Sequence, residues 1–336
     1  MNTQTGNGPT TTMRYQQALG LAIEEEMLRD ERVFAIGQDL TTIGGQFGLS
    51  KNLIERFGDN RVLDTGIVET FMVGGACGAA IGGAVPIVDI TFSDMSFIAG
   101  DEILNKLAKW RFMHGGHPKE LAVTIIMGNG IMTGGGAEHS SSVEAHYFHN
   151  PGLKLVAPWS PADVKGLLKT AIRDPNPVIF MGNLSLFFSR GEVPEDPDFT
   201  IPLGQAAIRR EGTTATVVTY SGSVGAVLEA AERAATEGNE LEVIDLRSLV
   251  PLDWDTVFES VRKTNRAMIV HEAPRTGGVG AEIAARIQEE CLYWLDAPVG
   301  RVCGQDTHLP QNSLLEKFCV PSVDEILEGA RALVRD

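Results

Sequence analysis

The chain has 336 residues, of which 43% are hydrophobic and 21% are charged, and its formal net charge is −16 at pH 7. This length is typical of two domains, and the composition is typical of a globular protein with real cores. The negative charge argues against nucleic acid or an anionic membrane as the main partner. The chain has no apolar run of about 18 residues and no signal-peptide pattern, so we predict a cytoplasmic protein with a disordered tail over residues 1–12.

Strand-like and helix-like segments alternate through the first half of the chain, which predicts a parallel sheet covered on both faces by helices. Helices are predicted over residues 16–31, 71–83, 98–116, 140–152 and 160–174. Strands are predicted within residues 32–40, 61–66, 84–92, 120–129, 153–159 and 176–183. The last helix has the clearest start, with Ser160 as N-cap and Pro161 at the first helical position. We assign residues 13–190 to this first domain.

An acidic stretch with several prolines then interrupts the alternation, and we interpret residues 191–204 as an extended linker. A second α/β domain, residues 205–336, follows. Its strands are predicted within residues 214–222, 241–249, 266–274 and 298–304, and its helices over residues 223–238, 253–264 and 278–295. The predicted fold class is therefore α/β with two α/β domains, the first built on a mainly parallel sheet.

Glu69 precedes a predicted helix made almost wholly of glycine, alanine and small apolar residues. Gly74, Gly78 and Gly82 form one stripe on that helix, although each glycine costs a helix about 1 kcal/mol. The stripe indicates the close approach of another backbone, either within the same domain or from a partner subunit. Glu69 has two interpretations: it complements the helix dipole, or it handles a proton at the strand-to-helix loop where α/β proteins bind ligands.

The segment "GNGIMTGGGAEHSSS" places five glycines ahead of His139. It misses the G-x-G-x-x-G spacing and no helix follows it at once, so its match to a dinucleotide-binding motif is weak. We interpret it as a flexible loop that presents His139, and both a structural and a functional role for this histidine stay open.

Several segments together carry a family resemblance from Met13 to Arg335. They are "DTGIVE", "AEHSSS", "HNPGLKLVAPWSPADVKGLLKTAIRDPNPVIF", "LEVIDLRSLVPLDWDTV" and "RTGGVGAEIAARI". With them the chain resembles the β subunits of the thiamine-diphosphate-dependent decarboxylase component of 2-oxo acid dehydrogenase complexes. That group includes the pyruvate, branched-chain 2-oxo acid and acetoin dehydrogenases. The resemblance implies an N-terminal pyrimidine-binding domain and a C-terminal transketolase-like domain.

The resemblance also implies roles for individual residues. Glu69 matches the family acid that hydrogen-bonds a ring nitrogen of the cofactor's aminopyrimidine and so favours its imino tautomer. Ile67, Thr91 and Met95 match other cofactor-binding positions. His139 matches the family histidine near the reacting centre, where it orients the substrate or moves protons during acyl transfer. The implied reaction cleaves a 2-oxo acid, acetoin or a diketone and passes the acyl group to a lipoyl acyltransferase.

The cofactor and partner predictions follow from what the chain lacks. It has no Gly-Asp-Gly followed by Asn, the pattern that holds Mg²⁺ on a diphosphate. We therefore expect an α subunit to supply the diphosphate and Mg²⁺ sites, and the resemblance implies a heterotetramer of two α and two β chains. A structural site for a monovalent cation, K⁺, is also implied, formed largely by carbonyl oxygens at Val123, Ala171, Ile172, Asp174 and Asn176.

Four positions depart from the family pattern. Met95 replaces an aromatic residue that stacks on the aminopyrimidine, and Thr91 replaces the Gln of branched-chain relatives. Gly66 replaces the usual Pro, and Gly182 stands where an acid is common. These departures favour an unusual ketone or diketone as substrate. Met95 and Thr91 are also the only support for the alternative, a non-catalytic assembly subunit whose site has decayed.

Overall fold

The structure, a computed structural model, describes residues 8–46, 48 and 51–335. Within this part the chain forms two compact units, which we describe separately. The N-terminal unit comprises residues 8–129 and 146–203, and the C-terminal unit comprises residues 130–145 and 204–335. None of the helices in these described ranges is long and apolar enough to cross a membrane.

The N-terminal unit alternates strands and helices, as the sequence predicts. Its strands and helices are β1 (Thr10–Arg14), α1 (Tyr15–Arg29), β2 (Val33–Gln38), α2 (Leu53–Phe57), β3 (Val62–Thr65), α3 (Glu69–Ile81), β4 (Val85–Phe92), α4 (Trp110–Met113), β5 (Thr124–Asn129), α5 (Glu144–Phe148, which begins in the other unit), β6 (Lys154–Val156), α6 (Pro161–Arg173), β7 (Val178–Asn183) and β8 (Arg190–Pro194). Six strands form a parallel sheet in the order β6-β7-β5-β4-β2-β3. The predicted parallel sheet is confirmed.

The register of this sheet gathers polar residues at one edge. Gly37 on β2 is paired with Asp64 on β3 and with Asp89 on β4. A Cβ at Gly37 would lie 2.9 Å from the Asp89 carbonyl oxygen, so the strands fit this closely only around a glycine. Because parallel strands end at the same edge, both acids lie near the carboxyl ends of their strands, where helix α3 also begins.

Helices α1 and α6 pack together around buried charges. The side chains of Lys165 and Lys169 are fully buried, and their ammonium groups lie 2.9 and 2.5 Å from the Glu25 carboxylate. Arg173 makes a two-pronged contact with the Glu26 carboxylate, at 2.6 and 2.9 Å. Removing one partner of such a buried pair leaves an uncompensated charge, which typically costs about 3–5 kcal/mol.

Two predictions for this unit are wrong in part. The amphipathic helix expected over residues 98–116 is interrupted by a π-helical turn at Glu102–Leu107, where the Ala108 N–H bonds the Ile103 carbonyl oxygen five residues back. The predicted tail is ordered at residues 10–12, because β1 pairs antiparallel with β8. That pairing joins segments about 180 residues apart, so no local pattern reveals it. Of the rest of the predicted tail, residues 8 and 9 are described and precede β1, and residues 1–7 lie outside the described part.

The C-terminal unit contains β9 (Ala207–Arg210), β10 (Ala215–Thr219), α7 (Ser223–Thr236), β11 (Leu241–Asp245), β12 (Ser248–Val250), α8 (Trp254–Thr264), β13 (Ala267–Pro274), α9 (Val279–Cys291), β14 (Gly300–Gly304), α10 (Ser313–Glu316) and α11 (Val323–Arg335). Five strands form a sheet in the order β14-β13-β10-β11-β9, in which only β9 is antiparallel to its neighbour. Buried aliphatic residues of β10, β11, β13, α7 and α11 form a hydrophobic core cluster in this unit. The predicted second α/β domain is confirmed.

Candidate cofactor and catalytic site

Glu69 is the first residue of α3 and lies at the carboxyl edge of the N-terminal sheet. Its side chain is buried, with the residue only 5% exposed. In the described part of the chain no hydrogen bond or ion pair reaches its carboxylate. The lone pairs of this carboxylate are therefore available to a ligand group at the edge of the unit.

Asp64, the other acid of the same motif, has a structural role. Its carboxylate accepts hydrogen bonds from the backbone N–H of Asp39 at 2.9 Å and of Thr41 at 3.1 Å, and from the Thr41 hydroxyl at 2.7 Å. It therefore fixes the loop that follows β2. Of the two acids, Asp64 has three hydrogen bonds to its own unit, whereas the described part of the chain leaves the Glu69 carboxylate available to a ligand.

Apolar side chains lie beside Glu69 at the surface. Ile67 is 68% exposed, Val68 is 46% exposed and Phe71 is 61% exposed. Large exposed apolar residues close together commonly mark a ligand or partner site. This apolar patch, made of Ile67, Val68 and Phe71, would exclude water from Glu69 once it is covered.

The turn that carries Met95 lies against the first turn of α3. The Thr70 hydroxyl donates a hydrogen bond to the carbonyl oxygen of Ile98, at 3.1 Å. Met95 lies in the 3₁₀ turn Ser93–Phe97, directly before Ile98, and its side chain is half-buried. The structure therefore brings the predicted cofactor positions Glu69 and Met95 to the same edge of the unit.

Thr91 has a strained backbone held by a buried acid. Its φ of +69° lies in the left-handed region, which a β-branched residue rarely adopts. Its N–H donates a hydrogen bond to Asp89 Oδ1 at 2.9 Å. Burial raises the pKa of Asp89 to about 6, although the hydrogen bond from the Thr91 N–H lowers it. Such strain commonly clusters at ligand sites, and the cofactor-binding role of Thr91 stays a prediction.

The residues predicted to hold a monovalent cation have their side-chain oxygens engaged. Asp174 is ion-paired with Lys154, and its Oδ1 also accepts hydrogen bonds from the Asn176 N–H and amide group. Asn176 Oδ1 accepts a hydrogen bond from Arg111. A cation here would be held by carbonyl oxygens alone and would face two cationic side chains.

The carbonyl oxygens at this place are only partly free. That of Val123 accepts the Val178 N–H at 2.9 Å, and that of Ala171 accepts the Asp174 N–H at 3.2 Å. Each of these two oxygens retains one lone pair, which allows weak coordination of a cation. Among the described residues, no group of three or more His, Cys, Asp or Glu side chains is arranged to hold a metal ion.

His139 lies in the C-terminal unit, on a closed loop. The Gly130 N–H bonds the Ser141 carbonyl oxygen at 3.1 Å, which joins the two ends of the loop. The His139 N–H bonds the Gly136 carbonyl oxygen at 3.2 Å, and the side chain is half-buried. A half-buried imidazole is still partly accessible, which is compatible with proton transfer to a ligand.

Two residues near these sites were not predicted from the sequence. For Asp89 the sequence does contain a signal, because a single acid within the apolar strand "AVPIVDITF" is in an unusual place for a carboxylate. Glu316, which bonds the backbone of the His139 loop, lies in the segment "PQNSLLEKF", which has no periodicity or motif. Nothing local in the sequence marks Glu316.

Two family models match the chain. The model described as the transketolase pyrimidine binding domain matches residues 11–187, and the model described as the transketolase C-terminal domain matches residues 204–326. The first match alone covers more than half of the chain.

Relatives match over nearly the whole chain. The pyruvate dehydrogenase E1 component subunit beta of Rickettsia felis is 43% identical over 94% of this chain and 96% of its own length. The mitochondrial beta-2 subunit of Oryza sativa subsp. japonica is 42% identical over 95% of this chain and 85% of its own. The mitochondrial subunit of Saccharomyces cerevisiae is 41% identical over 97% of this chain and 90% of its own. The chain belongs to the β-subunit family of the thiamine-diphosphate-dependent 2-oxo acid dehydrogenases.

A solved structure supports the fold of this β-subunit family member. The chain is similar to a split-gene transketolase, described as an inactive β4 tetramer, with a TM-score of 0.77 and 24% identity over 98% of this chain and 99% of that one. At this identity the likeness shows the fold alone. It confirms the two transketolase-like domains that the resemblance implies.

Proposed function

We propose that this chain is the β subunit of a thiamine-diphosphate-dependent 2-oxo acid dehydrogenase and that Glu69 is its cofactor-activating acid. The Glu69 side chain carries the proposal, because the residue is only 5% exposed and its carboxylate has no hydrogen bond or ion pair in the described part of the chain. Relatives named as pyruvate dehydrogenase E1 β subunits, such as that of Rickettsia felis, support the reaction class.

The residues present fit the aminopyrimidine half of the cofactor. Glu69 would share a proton with a ring nitrogen, since no group of the described residues competes for its carboxylate. The Met95 thioether would pack on the face of the ring, and Thr91 and Ile67 would line the same edge. When bound, thiamine diphosphate supplies the nucleophilic carbon and the electron sink for decarboxylation. His139 would orient the substrate or move a proton during acyl transfer.

The diphosphate half of the cofactor must be held elsewhere. The sequence carries no Mg²⁺-diphosphate motif, so we propose that an α subunit supplies this site and that the enzyme is an α2β2 heterotetramer. The acyl group would pass to a lipoyl acyltransferase. Carbonyl oxygens around Asp174 would hold K⁺ only weakly, because Lys154 and Arg111 lie beside them. The expected compartment is the cytoplasm.

The substrate is a 2-oxo acid, acetoin or a diketone. Met95 is narrower and more flexible than the aromatic ring expected there, so the pocket beside the aminopyrimidine would be roomier and more adaptable. Assays of the assembled α/β enzyme against a panel of 2-oxo acids, acetoin and diketones, with a dye acceptor, would identify the substrate.

Glu69→Gln tests the proposal in the assembled enzyme. The substitution preserves the shape of the side chain but removes its ability to exchange a proton, so dye-linked turnover is expected to fall by orders of magnitude. The free energy of unfolding should change by less than about 1 kcal/mol, the size of a helix-dipole term. Glu282→Gln is a matched control, because Glu282 is an exposed acid in the first turn of α9.

The control should keep wild-type turnover. Near-normal turnover of Glu69→Gln with a large drop in melting temperature would instead make Glu69 a helix-capping residue. Wild-type enzyme that binds its partners but turns over none of the substrates would support the assembly-subunit alternative.

Calorimetry on the isolated chain tests the division of the cofactor site. With Mg²⁺ present, the β chain alone should show no tight binding of thiamine diphosphate, whereas the α/β pair should bind it. Micromolar binding by the lone chain would contradict the proposed role of the α subunit.

A further inference from the structure

One buried carboxylate from near the C-terminus holds the His139 loop, which we define as residues 130–141. Glu316 is only 2% exposed. Its Oε1 accepts the Met132 N–H at 3.0 Å, and its Oε2 accepts the Gly134 N–H at 3.0 Å. Hydrogen bonds to an ionised carboxylate are roughly twice as strong as neutral ones, so this two-point attachment is strong.

The glycines of the loop permit this attachment. Gly134 and Gly136 have φ values of +84° and +78°, which disfavour any other residue. A Cβ at Gly136 would lie 2.6 Å from Cγ of Gln311, and a Cβ at Gly134 would collide with the Gln311 carbonyl oxygen. The glycines therefore serve close packing against the segment that precedes Glu316, and the loop is not as free as its composition suggests.

Glu316 is itself held in place. It ends helix α10, whose N-cap Asn312 accepts hydrogen bonds from the N–H groups of Leu314 at 3.0 Å and Leu315 at 3.2 Å. The Glu316 N–H bonds the Asn312 carbonyl oxygen at 2.9 Å. A capped turn fixes the direction of its side chains, so the carboxylate meets the loop in a defined position.

A second anchor lies on the other side of His139. The Tyr220 hydroxyl donates a hydrogen bond to Glu144 Oε1 at 2.8 Å, and both residues are buried. His139 is thus carried between two fixed points of one unit. The Glu316 point bonds the backbone of the loop itself, through Met132 and Gly134.

We propose that Glu316 is a positioning residue that sets the location of His139 for acyl transfer. This inference rests on the proposed function, in which His139 acts during that step. The connection runs from the Glu316 carboxylate through the Met132 and Gly134 amides to the turn at Gly136, whose carbonyl oxygen bonds the His139 N–H. A misplacement of about 1 Å at a reacting group costs on the order of 100-fold in rate, so a small shift of the loop is enough.

Glu316→Gln in the assembled α/β enzyme tests the proposal. Glutamine keeps one acceptor oxygen but turns an NH2 group towards the second backbone N–H, so one attachment is lost. The rate of acyl transfer to a lipoyl domain should fall roughly 10- to 100-fold, and the dye-linked decarboxylation rate should fall much less. In a His139→Asn background, Glu316→Gln should cause no further loss, because coupled residues are not additive.

Asp253→Asn is the matched control for stability. Asp253 also accepts two backbone N–H groups, from Ala206 at 2.9 Å and Thr256 at 3.2 Å, and it caps helix α8 in the same unit. It should lower the melting temperature about as much as Glu316→Gln and leave both rates unchanged. Glu316→Asp, which keeps both acceptors on a shorter chain, is the second variant if the glutamine variant does not fold. It should fold and still lower the lipoyl-dependent rate severalfold.

Three results would overturn the inference. The first is an unchanged lipoyl-dependent rate in Glu316→Gln or, failing that, in Glu316→Asp. The second is an equal fall of both rates that adds fully to the effect of His139→Asn. The third is a fully active His139→Asn enzyme, which removes the roles of His139 and Glu316 together. None of these touches the assignment of Glu69, which Glu69→Gln tests separately.

Discussion

Asp89 should make the stability of the protein depend on pH in a way that one substitution removes. The carboxyl group is buried on β4, and burial raises its pKa from the ordinary 3.8 to about 6. Between these two values the folded protein keeps a proton that the unfolded chain has released. Stability from this group is therefore lost as the pH rises from about 4 to about 6, and it is constant above that range.

The size of the effect follows from the shift in pKa. One pKa unit corresponds to about 1.4 kcal/mol, so a shift of about two units gives up to about 3 kcal/mol. Asp89→Asn removes the ionisation and keeps a carbonyl oxygen to accept the Thr91 N–H. At pH 7 the variant should be more stable than wild type by up to about 3 kcal/mol, and the gain should shrink towards zero at pH 4.

Urea unfolding of both proteins at several pH values between 4 and 8 measures this difference. Asp59→Asn is the control, because Asp59 is exposed and its substitution should give no pH-dependent gain. A wild-type-to-variant difference that is the same at every pH, or that grows as the pH falls, would refute the burial argument.

Two further predictions concern Met95 and Ser160. Met95→Tyr should restore a stacking face worth roughly 0.5–1.5 kcal/mol, so the α/β enzyme should bind thiamine diphosphate equally or more tightly. The variant should turn over its native substrate less well and pyruvate relatively better. Lost cofactor affinity, or a parallel fall for all substrates, would make Met95 a plain packing residue. Ser160→Ala removes the acceptor for the Asp163 N–H and the capping box of α6, so chemical denaturation should show a loss of about 1 kcal/mol, and no loss would contradict the capping argument.

Local patterns predicted the elements but not all of their pairings. Helix α6 was located to within one residue at each end because Ser160 and Pro161 mark its start and apolar spacing marks its length. The antiparallel β9 and the β1–β8 pair were missed because nothing near them in sequence identifies their partners. Pairing across a long separation depends on the whole fold.

The same limit applies to the candidate site. The place of Glu69 at the start of α3 could be predicted because the strand, the loop and the small-residue helix are adjacent in sequence. Its role towards the cofactor came from the family resemblance and stays a prediction. Gly74 and Gly78 were interpreted as points of close approach by another backbone, from the same domain or from a partner subunit. A Cβ at Gly74 would lie 3.3 Å from the Glu102 side chain, and a Cβ at Gly78 would meet nothing within 4 Å in the described part of the chain. Close backbone approach from the same chain is thus not found at these two positions, and the approach of a partner subunit stays a prediction. Glu316 lies 184 residues from Met132, so its role appears only in three dimensions.

The π-helical turn at Glu102–Leu107 has a consequence for the surface beyond it. A π turn takes in one residue more than an α turn, which rotates every following side chain by about 100° around the helix axis. Helix α4 follows after two turn residues, and in it Phe112 is 92% exposed and Met113 is 55% exposed. Deleting one residue from the π turn would restore the regular helical phase and present a different side of α4 to solvent. The phase set by this single extra residue, and not the composition of α4 alone, therefore selects which large apolar groups the molecule displays there.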